Sequence, residues 1–99
     1  MTLEFHPAVQ QDFNAAIAYY ETASGLHLAD RFEAEFRASL AAIKASPTRF
    51  PPYHQSPLFR RARLINFPYV VLFRTTPVAI RVTLLKHERR HPLHGLHRR

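Results

Sequence analysis

Hydrophobic and polar positions alternate with two different periods along this chain. In the first half, apolar residues recur every three or four positions, as they do on one face of a helix. Val9, Phe13, Ile17 and Tyr20 form such a stripe and predict a helix over residues 7–21. Pro7 suits the first turn of this helix, where its missing N–H costs nothing.

A second apolar stripe follows the break at residues 24–25. It consists of Leu28, Phe32, Phe36, Leu40 and Ile43, and the charged residues lie mainly on the other side. The helix should end near residue 46, because a proline at position 47 disfavours helix at the residue before it. Two amphipathic helices with a short link predict an antiparallel helical hairpin that needs an apolar surface to pack on.

Most of the remaining segments alternate with period two, and residues 69–73 are apolar on both faces, which suits a central strand. Residues 2–6, 60–66, 69–73 and 78–85 predict four strands, the last with Ile80, Val82 and Leu84 on one face. Residues 47–58 contain four prolines and no periodicity, so they predict a loop. The predicted order is β-α-α-β-β-β, in one domain over residues 1–99.

This order predicts the α+β class. The three late strands should form an antiparallel twisted sheet, with the helical hairpin on one face and the first strand at an edge. The opposite face should display Arg61 and Arg63, with Arg74 and the basic tail after Leu85 as further members.

Charge is distributed unevenly along the chain. The net charge is +7, but the first fifty residues carry −2 and the rest +9, together with five of the seven histidines. Such asymmetry indicates a polyanionic partner. Nucleic acid, an acidic protein, an anionic membrane surface and a merely solvated basic surface all remain open on charge alone.

Arginine dominates the basic half, with nine arginines and one lysine. Guanidinium groups bind phosphates and carboxylates through two parallel hydrogen bonds, whereas lysine acts as a point charge. The alternative is that these arginines protect a sheet edge from aggregation. We predict target or nucleic-acid binding by Arg60, Arg61, Arg63, Arg74, Lys86 and His91.

Several chemistries find no support in the composition. The chain has no cysteine, two glycines and one acid in its second half, so thiolate chemistry, a phosphate-binding glycine loop and a carboxylate pair are not expected. The tail histidines are interrupted by Pro92 and Gly95, so we predict neither a metal site nor a cofactor. A catalyst of this composition would rely on Arg, Lys, His and Tyr, which suits stabilising a negative transition state.

The same sequence favours a cytosolic protein without membrane contact. No basic segment followed by an apolar run opens the chain, and the longest apolar run, residues 67–73, is too short to span a bilayer. Of the two adjacent tyrosines in the first helix, Tyr20 continues the core stripe and Tyr19 should lie at its rim.

Ordered short motifs connect these segments to a known family. The chain resembles the RelE/ParE toxin superfamily, and within it the ParE-like, plasmid-stabilisation branch. The resemblance covers nearly the whole length and rests on Tyr19-Tyr20-Glu21, Phe32 and Phe36, Ser46-Pro47 with Phe50-Pro51, Arg60-Arg61, Phe67-Pro68-Tyr69, and His87, Arg90 and Pro92. It implies a bacterial, growth-inhibiting toxin held inactive by a cognate antitoxin, whose acidic or amphipathic segment would fit the basic sheet face.

The superfamily contains two activities. RelE-like members cut messenger RNA on the ribosome, whereas ParE-like members inhibit DNA gyrase and are not known as nucleases. RelE-like nucleases have an arginine where this chain has Val70 and a tyrosine near Leu93, and many close relatives have a tryptophan where this chain has Gly95. The resemblance therefore favours gyrase inhibition. The alternatives are a ribosome-dependent endoribonuclease using His87, Arg89 and Arg90 as catalytic residues, and a binding module without toxicity.

Overall fold

The computed structural model describes residues 1–99 and contains both predicted helices. Helix α1 spans Ala8–Ser24 and helix α2 spans Leu26–Ala45. A single residue, Gly25, links them, and its φ of 86° is a conformation that residues with a side chain rarely adopt. Tyr20 is buried and Tyr19 is exposed, as the apolar stripe predicts. Neither helix has the length and apolar composition needed to span a membrane.

Five strands form one sheet. They are β1 (Thr2–Phe5), β2 (Pro52–Tyr53), β3 (Ser56–Arg63), β4 (Tyr69–Thr75) and β5 (Ala79–His87), and their order across the sheet is β1-β5-β4-β3-β2. The late strands pair antiparallel, as predicted. Strand β1 lies at the predicted edge but runs parallel to β5, so the sheet is mixed. The parallel pairing is possible because the helical hairpin and the other strands connect β1 to β5.

The prediction of a loop over residues 47–58 is wrong in part. It contains a 3₁₀ turn, Pro47–Arg49, then β2 and the beginning of β3. Proline is tolerated in β2 because this strand forms the edge of the sheet. The next strand ends at Arg63 rather than at residue 66, because the Glu35 carboxylate of α2 accepts the backbone N–H groups of Ile65 and Asn66.

The sheet has two apolar faces. The helix face is the larger, and Phe32 of α2 lies at its centre, with ring centroids 5.1 Å from Phe67 and 5.0 Å from Tyr69. The opposite side, here called the open face, carries a smaller buried cluster: Tyr53, Phe59, Val70, Leu72 and Leu84.

A β-bulge at Thr83 changes which side chains of β5 share a face. Phe73 pairs with Val82 but Leu72 pairs with Leu84, so Thr83 is an extra residue in β5. Leu84 therefore packs on the open face, whereas Ile80 and Val82 pack on the helix face. The prediction that these three residues share one face is wrong, because the alternation of side chains is interrupted between them.

Asp12 of α1 completes the bulged part of β5, which extends beyond the end of β1. Its carboxylate accepts the backbone N–H of Leu85 at 3.1 Å and binds the Arg98 guanidinium at 2.6 and 3.2 Å. Arg98 also donates to the carbonyl of Thr83 at 3.2 Å. A helix and the tail thus supply the partners that a neighbouring strand would otherwise provide.

The tail after β5 is packed on the open face rather than extended into solvent. Gly95 is buried with φ of 78°, and a Cβ at this position would lie 2.7 Å from a methyl carbon of Leu84. Leu96 packs against the open-face cluster. The main-chain oxygen of Arg99 accepts hydrogen bonds from Arg74 and Arg81. The tail therefore covers part of the open face.

The Asp12–Arg98 pair should contribute strongly to stability. In the variant Asp12→Ala, the partly buried guanidinium and the Leu85 amide both lose their partner, so unfolding in urea should need about 3 kcal/mol less free energy. Asp12→Asn keeps an acceptor for the amide and should lose less. Asp30→Ala removes an exposed acid of α2 and should change stability by less than about 0.5 kcal/mol. Equal losses for Asp12→Ala and Asp30→Ala would contradict this role.

Candidate functional site

A cleft with mostly basic walls opens on the open face of the sheet. Its volume is about 240 Å³, and we call it the basic cleft; it is lined by Tyr53, His54, Arg61, Arg63, Val70, Lys86, Glu88, Arg90 and Pro92. Four of the residues predicted from sequence to bind a target or to act in catalysis therefore lie together: Arg61, Arg63, Lys86 and Arg90.

Strand register places the two arginines of β3. Arg61 pairs with Leu72 and Arg63 pairs with Val70, so both guanidinium groups project from the open face. Val70 itself is buried and forms part of the floor of the cleft. The position at which RelE-like nucleases have an arginine therefore contributes an apolar surface here.

Lys86 provides a buried cation at the base of the basic cleft. Only 5% of its surface is exposed, whereas the sequence predicted that Lys86 lies on the exposed basic surface. The bulge at Thr83 turns it to the open face, where its ammonium donates to the Tyr53 hydroxyl at 3.1 Å and to the His91 carbonyl at 3.2 Å. The Tyr53 hydroxyl in turn donates to the Pro92 carbonyl at 2.8 Å. These hydrogen bonds hold the charge in one place and join β2 to the tail.

The charges of the basic cleft are only partly neutralised. Arg63 pairs with Glu88 at 2.7 Å, and Glu88 is the one carboxylate of the lining. Arg61 and Arg90 form no ion pair. The cleft therefore keeps an excess of positive charge and favours anions such as phosphates or carboxylates.

Other residues predicted to bind a target lie outside the basic cleft. Arg60 points to the helix face and donates to the Phe50 carbonyl at 2.6 Å. Arg74 lies farther along β4 and binds the tail at Arg99. His91 contributes its carbonyl to Lys86, while its exposed ring accepts the backbone N–H of Leu93.

The three candidate catalytic residues are not gathered in the basic cleft. His87 lies on the helix face, 5.2 Å between ring centroids from Tyr69, and its Nδ1 accepts the backbone N–H of Arg89 at 3.0 Å. Arg89 is exposed and absent from the lining. Of the three, only Arg90 lines the cleft. His87 and Arg61 lie on opposite faces of the sheet.

Tyr53 and His54 were missed from sequence because they lie within the proline-rich segment. The two residues between Tyr53 and Ser56 form a tight connection from β2 to β3. This connection contains neither glycine nor asparagine, the usual signals of a two-residue hairpin turn.

The histidines of the tail do not converge. No group of three or more His, Cys, Asp or Glu side chains is placed to share a metal ion. Desolvation, followed by the positive charges of Arg90 and Arg98, lowers the pKa of His94. This shift favours the neutral imidazole beside the basic cleft.

A comparison with protein families identifies the chain. The family described as "ParE toxin of type II toxin-antitoxin system, parDE" matches residues 3–92. The chain belongs to the ParE toxin family. The match includes both helices, strands β2 to β5 and all but the first residue of β1, and the residues that line the basic cleft lie within it.

Solved structures support the same fold. A structure described as the chromosomal ParDE TA system from P. aeruginosa superposes with a TM-score of 0.80 at 16% sequence identity, covering 88% of this ParE family member and 95% of the other chain. At this identity the similarity shows a shared architecture. No curated protein matches the sequence.

The Tyr53 hydroxyl should hold the tail against the sheet. In Tyr53→Phe, Lys86 and the Pro92 carbonyl each lose a hydrogen-bond partner, so stability should fall by about 1–2 kcal/mol. Hydrogen exchange at the backbone amides of His94 and Leu96 should accelerate. Tyr19→Phe removes an exposed hydroxyl and serves as the matched control. The same exchange rates in both variants would refute the proposed role of Tyr53.

Proposed function

We propose that this ParE family member is a toxin that inhibits DNA gyrase and is neutralised by a cognate antitoxin. Its membership of the ParE family over residues 3–92 is the observation that carries the proposal. In this proposal the toxin acts by binding, and the basic cleft is its target-binding surface.

The contents of the basic cleft support binding rather than strand cleavage. Val70 is buried where a RelE-like nuclease has an arginine, and exposed Leu93 lies where such nucleases tend to have a tyrosine. The candidate catalytic histidine, His87, is separated from Arg61 by the sheet. Arg61 and Arg90, by contrast, are free of carboxylate partners and available to an anionic surface.

Gyrase supercoiling of a relaxed plasmid tests the proposal. The wild-type toxin should inhibit supercoiling, and Arg61→Ala should need a concentration about tenfold higher for half inhibition, the equivalent of losing one charge-assisted hydrogen bond. Arg31→Ala removes the same charge from an exposed position of α2 and should leave inhibition unchanged. Normal supercoiling at saturating wild-type toxin would overturn gyrase as the target.

A ribosome-dependent endoribonuclease is the second candidate. It is favoured by the position of Arg90, which lies in the basic cleft and also near Tyr69. Burial and the neighbouring Tyr19 raise the pKa of Tyr69, and the charge of Arg90 opposes this shift. Codon-linked RNA 5′ ends after induction, lost in Arg90→Ala and His87→Ala, would establish this activity. Intact messages in growth-arrested cells would exclude it.

The antitoxin of this proposal should be acidic or amphipathic in the segment that covers the basic cleft. A protein encoded beside the toxin should restore supercoiling when it is added in equal amount. Its affinity for the toxin should fall as salt rises, because exposed charges are screened. Titration calorimetry at several salt concentrations measures this effect, and Arg61→Ala should bind more weakly than Arg31→Ala. An affinity independent of salt would place the contact elsewhere.

A further inference from the structure

A second cleft adjoins the basic cleft and has aromatic walls. It lies between α1 and the ends of β4 and β5, with a volume of about 310 Å³, and we call it the aromatic cleft; it is lined by Gln11, Asp12, Ala15, Ala16, Tyr19, Tyr69, Leu85, Lys86, His87, Arg90 and His94. Lys86 and Arg90 line both clefts. The basic cleft lies on the open face and the aromatic cleft on the helix face, and the two meet at one end of the sheet, where Lys86 and Arg90 form a shared boundary.

The aromatic cleft has one exposed ring, Tyr19, beside a packed pair of rings, Tyr69 and His87. Tyr19 is 61% exposed although it is a large aromatic side chain. Tyr69 and His87 meet edge to face, with ring centroids 5.2 Å apart. The hydroxyl groups of Tyr19 and Tyr69 have no hydrogen-bond partner within the protein, and burial and the neighbouring Tyr19 raise the pKa of Tyr69, so its hydroxyl stays protonated as a donor. Such rings are typical stacking platforms for nucleic-acid bases.

The charges around the shared boundary favour a phosphate. The carboxylate of each cleft is already engaged, Glu88 by Arg63 and Asp12 by Arg98. Arg90 and Arg61 remain without a carboxylate. A phosphate at the boundary would thus bind Arg90 without repulsion from a free carboxylate. The next phosphate along a nucleic-acid strand would bind Arg61.

We propose that the two clefts form one binding site for an unpaired nucleotide within a nucleic-acid strand. Its base stacks on Tyr19 in the aromatic cleft. The strand passes round the end of the sheet at Arg90, so the flanking phosphodiesters bind Arg90 and, on the open face, Arg61. The proposal rests on the target-binding role of the basic cleft and extends it to a ligand class. Double helices fit poorly, because the faces of paired bases are covered by their neighbours.

Binding of short labelled oligonucleotides to the purified full chain tests the site without gyrase. Fluorescence anisotropy with single-stranded DNA, single-stranded RNA and a DNA duplex of equal length should show tighter binding of a single strand than of the duplex. The DNA and RNA arms identify which strand the site prefers. With two phosphate contacts, the slope of log affinity against log salt should be about −1.4 for a single strand.

Two variants should separate stacking from charge. Tyr19→Ala should weaken single-strand binding about 5- to 150-fold without changing the salt slope, as expected for one stacked base. Arg61→Ala should reduce the slope by about 0.7, as expected for one lost phosphate contact. The matched controls are Leu26→Ala, an exposed apolar residue elsewhere, and Arg31→Ala, and both should behave as wild type.

Three results would overturn the inference: no binding of either single strand, equal binding of duplex and single strand, or equal effects of Tyr19→Ala and Leu26→Ala. Gyrase inhibition without oligonucleotide binding would remove this site and leave the proposed function intact. Oligonucleotide binding without gyrase inhibition would support the site and remove gyrase as the target.

Discussion

The Asp12 carboxylate is the contact on which the arrangement of the last strand depends. It lies on α1, yet it binds the Leu85 amide of β5 and the Arg98 guanidinium of the tail. Beside it, the bulge at Thr83 shifts every later side chain of β5 to the other face. Without that shift Lys86 would point towards the helices, away from the Tyr53 hydroxyl and the His91 carbonyl.

The bulge and the tail together make the basic cleft possible. On the open face, the Lys86 ammonium donates to the Tyr53 hydroxyl and to the His91 carbonyl. The second of these hydrogen bonds holds the tail against the sheet. A buried ammonium is costly unless its hydrogen bonds are satisfied, so the cleft, the edge strand β2 and the tail depend on one another. The site that we propose for binding is therefore built from long-range contacts rather than from one local motif.

Local patterns predicted the helices and the central strands well, because burial of one stripe or of alternate residues leaves a periodic signal. The apolar stripe through Phe32 and Phe36 is such a case. Patterns failed where the partner was distant in sequence. The alternation through Ile80 and Val82 continues into Leu84 in the sequence. No nearby residue indicates a bulge at Thr83, because the carboxylate beside it belongs to Asp12, 71 residues earlier. The burial of Lys86 was missed for the same reason. The family was predicted from the ordered motifs and not from the charge pattern.

The parallel pairing of β1 with β5 determines when the fold can be completed during synthesis. The first strand is synthesised before both helices, but its partner residues 79–82 follow only after the helices and the other strands. Until then β1 has no neighbour, and the Asp12 carboxylate has neither the Leu85 amide nor Arg98. Contacts of such long sequence separation also form slowly. The surface that carries the proposed activity therefore exists only after β5 and the tail that follows it have been synthesised.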